Sequence, residues 1–222
     1  MLAPDMADDL RQRRRSAYET ARPDIQALVP PAARSVLDVG CASGALGEAL
    51  KARGAERVVG IELDPELAAD ARGRLDDVVE GDVAAVLAEP GGLGPFDCVI
   101  AADVLEHLAD PWTALHAAAS LLEPGGSAVV SLPNVRNLEM LWSVAVRGRW
   151  PRREHGVFDR THLNWFTLAD ARELLEGAGL EVAHTEPRYP FTGWRLTVAN
   201  ALARVGLGQF LASQYLLVGR RP

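Results

Sequence analysis

With 222 residues, 48% of them apolar and 24% charged, the chain has material for one α/β domain with its own core. A formal charge of −7 argues against a general nucleic-acid binder, which needs a basic surface to neutralise phosphates. Asp5, Asp8 and Asp9 precede a run of arginines with no apolar leader, and Cys41 and Cys98 lack metal spacing, so the expectation is a cytoplasmic protein with reduced thiols and no signal peptide.

Residues 5 to about 28 read as a charged leading helix stopped by Pro30-Pro31. Ser35–Val39 is a first strand, followed by a small-residue turn and a helix over roughly Ala45–Arg53. A second strand ends at Glu62, and Asp64-Pro65-Glu66 opens a capped helix. Asp77–Glu80 is a short strand leading into Gly81-Asp82, and the breakers of residues 89–95 make a loop. A fourth strand, Phe96–Ala102, runs into Asp103-Val104-Leu105-Glu106-His107. A helix from about Pro111 to Leu122 stops at Glu123-Pro124-Gly125-Gly126, and Ala128–Leu132 is a fifth strand.

This strict β-α alternation implies a parallel sheet with right-handed crossovers. It breaks at residues 133–166, which hold a helix near Val135–Val146 and a loop rich in Arg, His and Trp. Thr167–Ala178 returns to helix, with strands near Leu180–Glu186 and Gln214–Gly219. The late apolar stretch Leu196 to Val218 is broken by Asn200, Arg204 and glycines, so no membrane span is expected. One domain over 1–222 is expected, with the leading helix (1–30) and the 133–166 insert capping the site, as a monomer or homodimer.

The strand-turn-helix at Val36 to Gly44 decides the ligand class. A dinucleotide fingerprint needs glycines at i, i+2 and i+5, and positions 40, 42 and 45 are Gly, Ala and Ala. Read as acid-x-Gly-x-Gly-x-Gly, Asp38, Gly40 and Gly44 match, with Ala42 as the departure. With Glu62 and Gly81-Asp82 in order beyond it, this pattern resembles motif I and its sequels in the class I S-adenosylmethionine-dependent methyltransferases.

The resemblance covers about Val36 to Arg188 and includes Leu-Leu-Glu-Pro-Gly-Gly at 121–126 and Ser131-Leu132-Pro133-Asn134. Its downstream signature is Gly148-Arg149-Trp150-Pro151 and Asp159-Arg160-Thr161-His162-Leu163-Asn164-Trp165-Phe166-Thr167. The combination is similar to a bacterial methyltransferase branch and to the methionine-biosynthesis protein W group, linked to partner-enzyme regulation as well as catalysis. It implies a Rossmann-like, mostly parallel sheet of seven strands with the last antiparallel, helices on both faces and a helical cap.

The cofactor implied is S-adenosyl-L-methionine. Glu62 would take the ribose hydroxyls, Asp82 with Val83 and Leu63 the adenine, and Asp38 with Gly40, Ala42 and Gly44 the methionine end. Ala102 closes the fourth strand beside it. Tyr18 and Arg22 either fold over the cofactor toward its carboxylate or lie on a solvated helix face. Ala42 is harmless provided its φ stays negative.

Methyl transfer needs positioning of the acceptor and exclusion of water, with a base only when the acceptor sheds a proton. The candidates are Asp103, Glu106 and His107, with His155, Asp159 and His162. The assignment is His162 as base, its ring held by Glu106 or Asp159, acting on a small-molecule acceptor, most simply at oxygen. Asp103-x-x-Glu106-His107 with His162 also resembles the metal site of small-RNA 3′-end 2′-O-methyltransferases, with Asp103 in place of a Glu; no metal is assigned. The arginines at 147, 149, 152, 153 and 160 suit an anionic acceptor or a solvated loop. Trp150, Phe158, Trp165, Tyr189 and Trp194 suit an acceptor pocket or a second small core.

Overall fold

The computed structural model describes residues 20–154, 156–204 and 206–222. Tyr18, His155 and most of the expected leading helix lie outside the described residues. What is described there is a short helix, α1 (Pro23–Leu28), with proline at its start, where a missing N–H costs nothing.

Seven strands form one sheet in the order β3-β2-β1-β4-β5-β7-β6. They are β1 (Ser35–Val39), β2 (Arg57–Glu62), β3 (Asp77–Glu80), β4 (Phe96–Ala102), β5 (Leu122–Pro133), β6 (Glu181–Arg188) and β7 (Gln214–Arg220). The first five pair in parallel, while β7 is antiparallel to both of its neighbours. The expected mostly parallel sheet with an antiparallel last strand is therefore what forms.

Strand alternation sends successive apolar residues to opposite faces. Val36, Val58, Cys98 and Ile100 pack against Ile25 of α1, Leu46 and Leu50 of α2 (Ala45–Ala52), and Ala68 and Ala71 of α3 (Pro65–Arg72). Leu37, Val59, Phe96 and Val99 meet the other layer: Val83 and Leu87 of α4 (Val83–Ala88), Leu115 of α5 (Pro111–Ser120), and Leu174 and Leu175 of α7 (Leu168–Gly177). Each fully buried side chain of this kind contributes about 1.5–3 kcal/mol.

The caps explain where several helices begin. Asp64 accepts from the N–H groups of Glu66 (2.8 Å) and Leu67 (3.3 Å) ahead of Pro65. Thr167 and Asp170 form a reciprocal capping box on α7. The helix after β5, α6 (Leu138–Ala145), starts later than its apolar pattern suggests. Asn134 turns the chain by accepting from Arg136 N–H (3.0 Å), and Asn137 caps by accepting from Glu139 N–H (3.0 Å). A further helix, α8 (Trp194–Ala203), follows Gly193 at φ +60° and has no clear apolar period to announce it. The strand β5 also begins earlier than expected, since Leu122 already pairs with Phe96 ahead of a register shift.

Candidate active site

β1 leads outward to β2 and β3, and the chain then returns to place β4 on the other side of β1. Ligands of such sheets sit at the carboxyl ends of the strands where this order reverses. Gly40 leaves β1 with φ +72°, and a Cβ there would lie 2.9 Å from Val104 Cγ2 in the segment following β4. Only glycine fits this seam.

The turn continues through Ala42 at φ +49° and Gly44 at φ +79°. The condition under which Ala42 was harmless is not met: a left-handed backbone with a Cβ costs about 1–2 kcal/mol. Glu62 holds the turn in place. Its carboxylate accepts from Ala42 N–H and Asp64 N–H, both at 2.8 Å, while Gly40 and Cys41 donate to the Ile61 carbonyl. Both oxygens of Glu62 are thus oriented by main chain.

Asp38, one residue before the strand end, is buried, and its Oδ2 has no hydrogen-bond partner among the described residues. Burial and the nearby Glu62 carboxylate push its pKa up to about 7, against the opposing charge of Arg22. An orphaned acid beside a turn of small residues suits a cationic, hydrogen-bonding guest. Leu63 stands 64% exposed next to Glu62, an apolar surface with no protein partner of matching size. Asp82 is exposed and caps α4 by accepting from Ala85 N–H at 3.1 Å. Val83 turns its side chain into the core, so what it can offer a ligand is main chain. Ala102 ends β4 opposite Ser131.

On the far side of the seam the chain crosses over itself repeatedly. Asp103, at φ +58°, accepts from Ser131 Oγ (2.6 Å) and Gln214 Nε2 (2.8 Å) and pairs with Arg22. Arg22 also bonds both oxygens of Asp24 at 3.1 Å, and Asp24 meets Arg188 at the end of β6. The sequence reading gave Ser131 and Gln214 no role, the first standing only in the Ser131-Leu132-Pro133-Asn134 motif and the second only as a strand start. A serine interrupting the apolar run Val129 to Leu132 was the available signal for the first; Gln214 carried none.

A single-turn 3₁₀ helix (Leu105–His107) follows. The Glu106 carbonyl accepts from Leu163 N–H (2.8 Å) and Asn164 N–H (3.0 Å), which ties the insert to this turn. His162 is thereby brought beside Glu106 and His107. Its ring centroid lies 4.8 Å from that of His107, and its Nε2 is 3.9 Å from Glu106 Oε1.

That distance is too long for a hydrogen bond, and Asp159 is occupied by Thr161, which donates its N–H (2.8 Å) and hydroxyl (2.6 Å) to Oδ1. Of the two residues expected to hold the His162 ring, Glu106 lies beside it and packs against it together with His107, whereas Asp159 is turned to Thr161. Because the Thr161 hydroxyl points to Asp159, His107 Nδ1–H must be the donor in its 3.1 Å contact with Thr161 Oγ1.

Glu106 is 2% exposed and its Oε2 has no partner among the described residues, like His162 Nδ1. Burial and the charge of Asp103 raise the Glu106 carboxyl well above its usual range. Burial, then His107, lowers His162 below the ordinary imidazole value. Asp159 moves the other way: burial pushes it up, but the two Thr161 hydrogen bonds win and hold it below its usual range.

Asp103, Glu106, His107, Asp159 and His162 all line one cavity of about 610 Å³, which residues 188–190 and Gln214 also line. That is the size of a small-molecule site. Glu106, His107 and His162 also carry ligand-capable atoms within 4.8 Å of one another. Asp103, bound to Arg22, Ser131 and Gln214, is outside that grouping. The aromatic residues divide: Trp150 packs edge-on against buried Phe158 (5.8 Å) and against Trp165 (5.2 Å), the two tryptophans themselves staying partly exposed; Tyr189 lines the cavity, and Trp194 is 72% exposed. Among the described residues no helix is long and apolar enough to cross a membrane.

The sequence profile described as "Methyltransferase domain" matches residues 10–185. The ubiquinone biosynthesis O-methyltransferase of Xanthomonas axonopodis pv. citri is 40% identical over 116 residues, 50% of this chain and 47% of that protein. The chain thus spans about half the length of the curated relatives it matches. Among solved structures, a SAM-dependent methyltransferase from Archaeoglobus fulgidus superposes with TM-score 0.64 at 20% identity, over 93% of this chain and 94% of that one. The magnesium protoporphyrin IX methyltransferase of Synechocystis PCC 6803, with SAH bound, gives 0.61 at 18% identity over 100% and 90%. At these identities the structures attest to the fold.

Proposed function

The chain belongs to the methyltransferase-domain family, and we propose that it transfers a methyl group from S-adenosylmethionine to an oxygen of a small-molecule acceptor held beside His162. The observation that carries this reading is the juxtaposition of two different sites across one seam. The turn from Asp38 to Gly44, with Glu62, is fitted to a cofactor, and a cavity with a neutral buried imidazole opens next to it.

The cofactor supplies an already activated methyl group, so the protein's work is to bind, orient and exclude water. Glu62, with its oxygens set by Ala42 and Asp64, takes the ribose hydroxyls. Leu63 and Asp82 hold the adenine by an apolar face and an acceptor. Asp38 and Arg22 take the ammonium and carboxylate of the methionine end, and Arg22 exchanges part of its pairing with Asp103 to do so. His162, kept neutral by burial, accepts the acceptor's hydroxyl proton at Nε2. The Glu106 carboxyl, 3.9 Å from His162 Nε2 and raised above its usual range by burial, lies beside the positive charge that forms. The Xanthomonas relative is an O-methyltransferase.

A second reading rests on the Glu106, His107 and His162 grouping: a divalent metal there would polarise the acceptor oxygen in place of a base. The His107 to Thr161 hydrogen bond is the outer contact such a ligand needs. Turnover of a panel of phenols, catechols and hydroxy acids with labelled cofactor, with and without chelator, tests both. Methylation that survives chelation supports the base; loss restored by added metal supports the second reading. Cofactor binding with no turnover on any hydroxyl would favour the regulatory role suggested by the protein W resemblance.

A further inference from the structure

The helix α6 buries Met140 and Ser143 and turns the opposite side to solvent. On a 3.6-residue repeat that opposite side is Leu138, Leu141, Trp142 and Ala145, and the three large residues are 55%, 38% and 52% exposed. Val146 continues the apolar surface. The one charge on the helix, Glu139, is paired with Arg153 at 2.6 Å. A helix apolar on both its inner and outer faces is built to be covered.

Its basic surroundings indicate by what. Residues 138–153 carry four arginines against one glutamate, in a chain whose net charge is −7. Arg147, Arg149 and Arg152 have no ion-pair partner among the described residues. Ser143 Oγ donates to the Arg149 carbonyl and Arg149 N–H to the Ser143 carbonyl, both at 3.0 Å, which pins the arginine segment beside the helix end. Arg147, Arg149 and Trp150 also line an open pocket there of about 610 Å³.

We infer that α6 with residues 146–152 is a docking surface for an anionic lipid bilayer: the exposed Leu and Trp side chains enter the interface and the arginines meet lipid phosphates. A second copy of the chain is a poorer occupant, because a two-fold contact over this face would bring together two surfaces of the same positive charge. The helix leaves the acceptor cavity within five residues of Pro133, one of its lining residues, so docking would bring the lipid surface beside the cavity. This inference does not depend on the acceptor's identity.

Flotation of the full chain with vesicles tests it. Phosphatidylcholine vesicles containing phosphatidylglycerol should carry the protein, and pure phosphatidylcholine vesicles should not. Trp142→Glu and the double change Arg147→Glu/Arg149→Glu should each cut the bound fraction by roughly tenfold or more, and added salt should weaken wild-type binding. Circular-dichroism melting checks the fold of each variant, and the arginine pair, lying outside the helix, carries the test if Trp142→Glu does not fold. Absence of flotation with either vesicle, or variants that float like wild type, would overturn the proposal. So would a concentration-dependent dimer abolished by Trp142→Glu, which would give the face to a second copy.

Discussion

The Glu62 carboxylate is held by main-chain groups 20 and 2 residues away, whereas the partners of Asp103 lie 28, 81 and 111 residues away. The cofactor side of the seam is one local β-α-β unit whose turn is shaped by its own strand neighbours. The acceptor side is assembled from α1, the segment after β4, the insert, and the β6–β7 region, and it exists only when the whole sheet has closed. Polar satisfaction does not divide in the same way. On the cofactor side both Glu62 oxygens accept from main chain, but Asp38 Oδ2 is buried without a partner among the described residues. On the acceptor side Glu106 Oε2 and His162 Nδ1 are likewise buried without partners among those residues, around one cavity. Unsatisfied buried groups cost stability, so their concentration beside a cavity points to chemistry there.

If that division is right, changes on the two sides separate binding from turnover. The largest effect belongs to the acceptor side: His162→Ala should lower turnover by roughly 10²–10⁴-fold while leaving the affinity for S-adenosylhomocysteine, by calorimetry, nearly intact. Equal losses in both would erase the division.

The next effect is on pH. Asp38, near 7 in the fold and in the ordinary carboxylate range when unfolded, binds more protons folded than unfolded between those values. Stability of the ligand-free protein should therefore fall as pH rises through that window, by a few kcal/mol at most, and Asp38→Asn should flatten the slope in urea melts. Binding of the cofactor product near pH 6 should release protons, visible as a dependence of calorimetric heat on buffer.

Glu62→Ala and Asp82→Ala should each weaken product binding by about 1–3 kcal/mol. Glu62→Ala should also lower the melting temperature, because Ala42 and Asp64 lose their acceptor. Asp82→Ala should cost about 1 kcal/mol of stability through its cap. Smallest is Ala42→Gly: relief of the left-handed Cβ, less the entropy of glycine in the unfolded chain, leaves a gain of about 0.5–1 kcal/mol in denaturant melts.

This division also governs what could be read from residues alone. β1 through β4, the cap at Asp64 and the helix following Thr167 were legible because period, glycine spacing and capping residues are local signals. Glu62, Asp38 and Asp82 were legible as positions relative to strand ends. Ala42 was visible as a departure, but its positive φ was not, since backbone sign follows from the turn closing on Glu62. His162 with Glu106 beside it could be singled out, while the edge-on support of its ring by His107 could not. That support depends on main-chain bonds from Leu163 and Asn164 to a carbonyl more than fifty residues earlier. Arg188 and Gln214 reach the site from strands whose own patterns say nothing of it.

The central claim is that a neutral, buried His162 takes the acceptor's proton, and the pH dependence of kcat/KM for wild type and His162→Gln tests it most directly. The account predicts an acidic limb in the wild type lying below the ordinary histidine pKa, because burial and His107 disfavour the imidazolium, and loss of that limb in the variant. An unchanged limb in His162→Gln, with turnover close to wild type, would contradict it.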